Sequence, residues 1–473
     1  MASQFLTKYL GDKPFWKSVI TLSLPIAFQL LLSTSFTLVD TVMVGQLGDI
    51  SLSAVGMAGQ WSWLMTLVLI GVCSGMGVFV SQYWGVGNTK GIRRVLGIAT
   101  IFVLLVSLAF FAVAFIFPRF VLRIFSNEEP VIAEGIRYLK IASISYIAIG
   151  LMNLFSTLLR SVEIVKVPLY SSIVSALMNF IFNYALIFGK FGFPRMGIMG
   201  AATATCVSSW IGVIMLLLIS VKQKNILIGK LKDIIEFTKE DVREFMKTAM
   251  PVVVNETMWG LGTFTYNIIF GRLGYENYAA VTIVKTFQDI SFVLVAGLGT
   301  ACCVIVGKSI GAGLIEKGYN DSRRFAVLVP LASLVSGAFI IFARNPIIKL
   351  FNLSGNMTDY TLKTTAAIIV VVGLEAVIRN VAYIDVVGIF RSGGDTLAGL
   401  KYDMITLWGL SLPVTFLAAF VFKWQFVAVF ATMLLVEDIP KTFLCTRYFI
   451  SKKWIRPVTK EGKEALKKLE DKK

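Results

Sequence analysis

The chain has 473 residues, of which 56% are hydrophobic and 15% charged, and its formal net charge is +17. Apolar runs of about twenty residues, the length a helix needs to cross a bilayer, recur along nearly the whole chain and exclude a soluble globule. Continuous runs such as 97–117 lack the in-out alternation of a barrel strand, so the spanning elements are helices.

Twelve spans are expected, at about 17–44, 52–83, 95–117, 136–159, 168–189, 198–221, 246–270, 278–307, 325–343, 364–390, 402–422 and 425–446. The leading Met1–Phe15 carries Lys8 and Lys13 and no short apolar core with a cleavage site, so a removed signal peptide is not expected. Span 1 holds Pro25, which permits a kink, and Asp40 near its outer end. A tight reversal at 45–50 leads to span 2, where Gly71, Gly75 and Gly77 let another helix approach closely. Neither Gly85–Gly91 nor Ser392-Gly393-Gly394-Asp395 has the spacing or lysine of a phosphate loop, so ATP-driven transport within this polypeptide is excluded.

Span 5 places Asn179 and Asn183 one helical turn apart, with their amides facing the same way. The polar stretch 222–247 reads as an amphipathic linker along the lipid surface. The tail Lys452–Lys473 reads as a basic, solvated helix or a disordered end. Cys73, Cys206, Cys302, Cys303 and Cys445 lie in apolar runs without metal-ligand spacing and read as packing residues, and the absence of histidine removes histidine-ligated metals and proton relays.

The second half repeats the first. Displaced by 226 residues, Leu24–Gly87 lies on Met250–Gly313 without a gap, matching Pro25 to Pro251, Gly45 to Gly271, Gly48 to Gly274, Gly71 to Gly297 and Gly85 to Gly311. The expected fold is an all-α integral membrane protein, with twelve transmembrane helices in two six-helix lobes related by a parallel internal repeat. The divisions are an N-lobe over 1–222, a cytoplasmic linker over 223–245, a C-lobe over 246–450 and a basic cytoplasmic tail over 451–473. Of the 45 lysines and arginines, 32 fall on one side of this topology and 11 on the other, which explains the positive charge without nucleic acid and puts both termini in the cytoplasm of a cell-membrane protein.

Carboxylates within spans cost roughly 2.5–3.5 kcal/mol on insertion scales and are functional candidates by default. Those singled out are Asp40, Glu256, Asp289, Glu375 and Asp385. In the repeat Asp40 corresponds to Tyr266 and Glu256 to Leu30, so each half has an acid where the other has none. Lys285 and Asp289, and Glu375 and Arg379, are spaced to neutralise each other along a helix face, and Asp385 is expected within reach of Arg391 or water. Trp61, Trp63, Met65, Tyr146, Trp259 and Tyr266 are candidates to line a cavity for flat cations, with packing as the competing role.

Pro25 followed by Val39-Asp40-Thr41-Val42-Met43-Val44-Gly45 resembles the first helix of the multidrug and toxic compound extrusion (MATE) family. Asn179–Tyr184, Gly200–Thr205, Pro251 with Glu256, Leu298–Gly313 and Phe390–Thr396 extend the similarity over about 15–450. The resemblance implies an antiporter, not an enzyme, with two lobes around a V-shaped cleft, exporting organic cations or drugs against entering Na⁺ or H⁺ without a cofactor. It implies a cation or proton site at Asp40 with Asn179, Asn183 and Thr205, and a C-lobe site at Glu256. Two positions depart from the family pattern: Asn183 stands where many members carry an acid, and Asn380 where one branch has its span-10 acid. Asp40 with two asparagines suits Na⁺, and Asp40 alone suits a proton. A monomer is expected. The alternative, a flippase or exporter of a lipid-linked or other non-drug metabolite, calls for a large basic cavity, whereas only Lys285 and Arg379 are basic mid-span.

Overall fold

The computed structural model describes residues 11–229, 231–351 and 357–471. Lys8, Lys230 and the last two lysines of the tail lie outside the described residues. The helices are α1 (Lys13–Gly45), α2 (Asp49–Gly85), α3 (Thr89–Ile116), α4 (Pro118–Arg123), α5 (Glu129–Ala142), α6 (Ser145–Ser161), α7 (Lys166–Phe188) and α8 (Ile198–Gln223). They continue as α9 (Leu231–Ile235), α10 (Lys239–Arg272), α11 (Tyr275–Gly311), α12 (Ile315–Phe351) and α13 (Asp359–Tyr383), which runs on through a π-helical turn, Ile384–Phe390. Last come α14 (Thr396–Asp403), prolonged by π-helical and α-helical turns to Val421, α15 (Phe426–Ile450) and α16 (Lys460–Glu470).

Among the described residues nine helices are long and apolar enough to cross a membrane, and α5 with α6, bent by 50°, makes a tenth span. The remaining two of the twelve expected spans, α10 and α15, are 34 and 25 residues long but carry charges along their length, among them Glu256 in α10 and Glu437, Asp438 and Lys441 in α15. Large apolar side chains face outward, as Val335, Phe339 and Phe342 do on α12, at 72%, 71% and 85% exposure. That inversion of a soluble protein's surface is what lipid requires.

The chain packs as two compact units. One comprises Phe28–Val80 and Asn88–Val253, the other the chain up to Ala27, Ser81–Gly87 and the chain from Val254 onward. In the first, glycines allow α2 to touch α10: a Cβ on Gly71 would strike the Val253 backbone, and one on Gly75 would strike Ala249. The linker docks on α3. Arg93 Nη1 meets Asp233 Oδ2 at 2.8 Å, the Ile234 carbonyl packs on Gly97, and α10 has already begun at Lys239. Phe245 is buried, stacked on Phe102 with ring centroids 6.0 Å apart.

In the second unit, Phe270 meets Phe426 and Phe430 at 5.5 and 5.6 Å in the core. The tail forms the expected helix, Lys460–Glu470, with its lysines exposed, and it is docked rather than a disordered end. Trp454 is fully buried against Gly393, Arg456 N donates to the Gly393 carbonyl at 2.7 Å, and Thr459 Oγ1 donates to the Gly311 carbonyl at 2.7 Å. Gly394, at φ +95°, takes a left-handed turn where a side chain would be strained and would strike the Arg456 carbonyl. Gln82 holds both ends of this strap, donating to the Ser392 carbonyl at 2.9 Å and accepting from Val458 N at 2.8 Å.

Candidate functional site

Asp40 of α1 is half-buried, one turn before Met43 and Val44, which pack with Ile187 and Ala201 in an apolar cluster edged by Tyr138. Asn183 Nδ2 of α7 donates to Asp40 Oδ1 at 2.6 Å. One end of the Asn179 amide lies 2.8 and 3.0 Å from the two carboxylate oxygens. With nitrogen at that end, the amide donates to an ionised carboxylate; with oxygen there, the contact is bonding only if Asp40 carries a proton or a cation bridges the oxygens. Asn183 Oδ1 is buried and receives no hydrogen bond, leaving an oxygen lone pair for a cation. The helical spacing of the asparagines thus does what it promised, while Thr205 donates to the Ala201 carbonyl of its own helix at 3.0 Å, and no hydrogen bond joins it to Asp40 among the described residues.

In the second unit Glu256 is ion-paired: Arg391 Nη2 donates to Glu256 Oε1 at 2.7 Å and reaches Asn255 Oδ1 at 3.4 Å. Asn255 Nδ2 donates to Asp403 Oδ2, and Lys441 pairs with the other oxygen of Asp403. Glu375 and Arg379 make no hydrogen bond, since neither buried oxygen of Glu375 has a donor and the Arg379 guanidinium lies over the Phe292 ring at 5.5 Å, although the Arg379 charge still acts on Glu375. Helical spacing brings Cβ atoms together, but the neighbouring ring competes for the cation. Lys285 and Asp289 are exposed, and the field at Asp289 comes from Lys285 and Arg379. Asp385 is buried rather than in water, with Oδ2 lacking a donor, and Asn380 Nδ2 donates to Ser333 Oγ at 2.9 Å.

The aromatic candidates divide. Met65 and Tyr146 are buried, and Ser62 Oγ donates to the Tyr146 hydroxyl at 3.0 Å. Trp61 Nε1 donates to the Phe110 carbonyl at 3.2 Å, whereas Trp63 and Trp259 are 38% and 43% exposed. Tyr266 is buried with its hydroxyl 2.7 Å from Ser411 Oγ and 3.1 Å from Glu437 Oε2.

Sequence reasoning missed Asp403, Glu437, Asp438 and Lys441. Adjacent acids inside span 12 were a signal that could have found two of them. Lys441, on the same helix as these acids, has a side chain only 12% exposed.

Duplicated, outwardly apolar helical units with buried acids define a multi-pass membrane protein of the transporter kind. The MatE family model matches the chain twice, over residues 25–185 and 251–417, once in each copy of the repeat. The chain belongs to the MatE family, the multidrug and toxic compound extrusion transporters. It is 26% identical over 439 residues to a probable multidrug resistance protein NorM of Thermotoga maritima, covering 93% of each chain. To a multidrug resistance protein NorM of Burkholderia vietnamiensis it is 27% identical over 422 residues, covering 84% of this chain and 86% of the relative. Its fold matches a crystal structure of the Vibrio cholerae MATE transporter VcmN in the bent form, with a TM-score of 0.82 at 16% identity, covering 94% of this chain and 99% of that one.

Proposed function

We propose that the chain is a secondary antiporter of the cell membrane, both termini cytoplasmic, that exports organic cations or drugs in exchange for Na⁺ or H⁺. The observation that carries this reading is the cage of Asp40, Asn179 and Asn183, one carboxylate that accepts from the Asn183 nitrogen and faces an Asn179 amide able to present either nitrogen or oxygen to it. An amide nitrogen stabilises the ionised, ion-free carboxylate, and an amide oxygen becomes a ligand or acceptor once Na⁺ or a proton arrives. The same three side chains therefore serve both states of an exchange cycle. The multidrug resistance names of the NorM relatives support drug export as the outcome.

The test is ethidium efflux from proteoliposomes under an imposed Na⁺ gradient and, separately, a pH gradient. Efflux driven by one gradient and lost in Asp40→Asn is expected. Efflux indifferent to both gradients, or fully retained in Asp40→Asn, would refute the reading, and no ethidium movement at all would favour a lipid-linked or anionic substrate.

A further inference from the structure

Within the first unit, the start of α3 and the linker border an open cleft of about 630 Å³, lined by Lys90, Arg93, Ile228, Gly229 and Asp233. Two cations there face one carboxylate. Arg93 Nη1 holds Asp233 Oδ2 at 2.8 Å, while Arg93 Nε is buried and has no acceptor. Lys90 is exposed and makes no ion pair among the described residues. A Cβ on Gly229 would lie 2.2 Å from Arg93 Nε, so the missing side chain is what lets the linker backbone rest against the guanidinium. The cleft is left with a net positive charge.

Its level in the membrane selects the anion. The uncharged part of α3 begins at Val95, and at about 1.5 Å per residue Arg93 lies about 3 Å, and Lys90 about 7.5 Å, outside that point. A headgroup layer roughly 5–7 Å thick flanks the hydrocarbon on each side, so both cations stand at the height of lipid phosphates. Ile228 and Ile235 of the linker are 38% and 63% exposed. Bare apolar side chains alternating with cations suit a surface that meets acyl chains and headgroups together. A zwitterionic headgroup carries its own cation into this positive field, whereas an anionic one supplies only the charge the cleft lacks.

We propose that this cleft binds the phosphate of an anionic phospholipid, with Lys90 and Arg93 on the phosphate oxygens and Ile228 against the upper acyl chain. Asp233 competes with the phosphate for the Arg93 guanidinium and so limits the affinity. The site lies in the leaflet on the linker's side of the membrane. It involves neither Asp40 nor the transported substrate, and it stands whichever gradient drives export.

Native mass spectrometry of the purified full chain, titrated in detergent with dioleoyl phosphatidylglycerol or dioleoyl phosphatidylcholine, reads the affinity for the first bound lipid. Phosphatidylglycerol is expected to bind more tightly than phosphatidylcholine, to weaken about fivefold in Lys90→Gln and further in Arg93→Gln, and to tighten in Asp233→Asn. The gain in Asp233→Asn separates binding from structure: that variant breaks the linker's ion pair just as Arg93→Gln does, and a pair that merely held the linker would lose lipid in both. Lys467→Gln removes the same charge from the exposed face of α16 and should leave the affinity unchanged. An equal loss there would overturn the cleft in favour of diffuse attraction to basic surface. Equal affinity for the two lipids, or weaker binding in Asp233→Asn, would overturn it as well. Glycerol 3-phosphate in excess should leave the lipid bound, and displacement by it would overturn the lipid as occupant in favour of a soluble phosphate. Lys90→Gln breaks no ion pair and should melt at the wild-type temperature, so its loss of lipid is read on a folded protein.

Discussion

Arg391 is the residue whose removal should be felt most widely, because its guanidinium, with a side chain 5% exposed, serves both Glu256 and Asn255. Glu256→Gln strands that cation in a buried site and is expected to cost about 3 kcal/mol, the scale measured when one partner of a buried ion pair is deleted. Pairing it with Arg391→Met should recover part of the loss, and thermal unfolding in detergent of the two singles and the double reads the coupling directly. For Asp40→Asn the expectation concerns function: gradient-driven efflux falls at least about tenfold, equivalent to ~1.4 kcal/mol of ion binding, with little change in melting temperature. At this scale sequence was informative where a partner lies one turn away, as with Asn179 and Asn183. It was silent on Lys441 with Asp403, whose members come from different helices and are brought together only by packing.

Among elements, the sequence placed a span on every long helix, α10 and α15 included, although these two are less apolar than the rest. Their charges depress the hydropathy on which span recognition rests, and the same charges build the buried network. The glycines of span 2 were legible as contact points, though not the helix they touch. Gly75→Val drives methyl groups into Ala249 and is expected to destabilise by about 1–3 kcal/mol, the usual cost of overpacking, read as a lower melting temperature. The tail's lysines are solvated as they read, while its docking is decided by a single buried tryptophan that the charge pattern does not reveal. Trp454→Ala should cost about 3–5 kcal/mol by cavity formation and should expose the 451–470 strap to trypsin, whereas Lys467→Ala on the strap's helix, α16, should do neither.

At the scale of the molecule the duplication was plain from glycines and prolines in register, and the family model falls once on each copy. The copies have nevertheless diverged chemically. Where the first has Asp40, the second has Tyr266, whose hydroxyl turns to Glu437 on another helix, so the equivalent position borrows an acid instead of carrying one. Restoring symmetry with Tyr266→Asp places a new carboxylate beside Glu437 and is expected to abolish export and lower the melting temperature, a combination checked by efflux and thermal unfolding on one preparation.

The strap held by Gln82 also constrains the order in which a ribosome can complete the protein. Phe28–Val80 and Asn88–Val253 can close on themselves once Val253 has emerged. Phe15, by contrast, waits for Phe325, Gly297 must arrive before Ser23 and Ala27 are covered, and Gln82 waits for both Ser392 and Val458. Ribosome-stalled chains ending near 300 should therefore resist protease across the first unit yet be cut near Gln82, and protection there should appear only once residue 458 has cleared the exit tunnel. Two short early segments are in effect left unpartnered for most of synthesis, a window in which a membrane chaperone or insertase has something to hold.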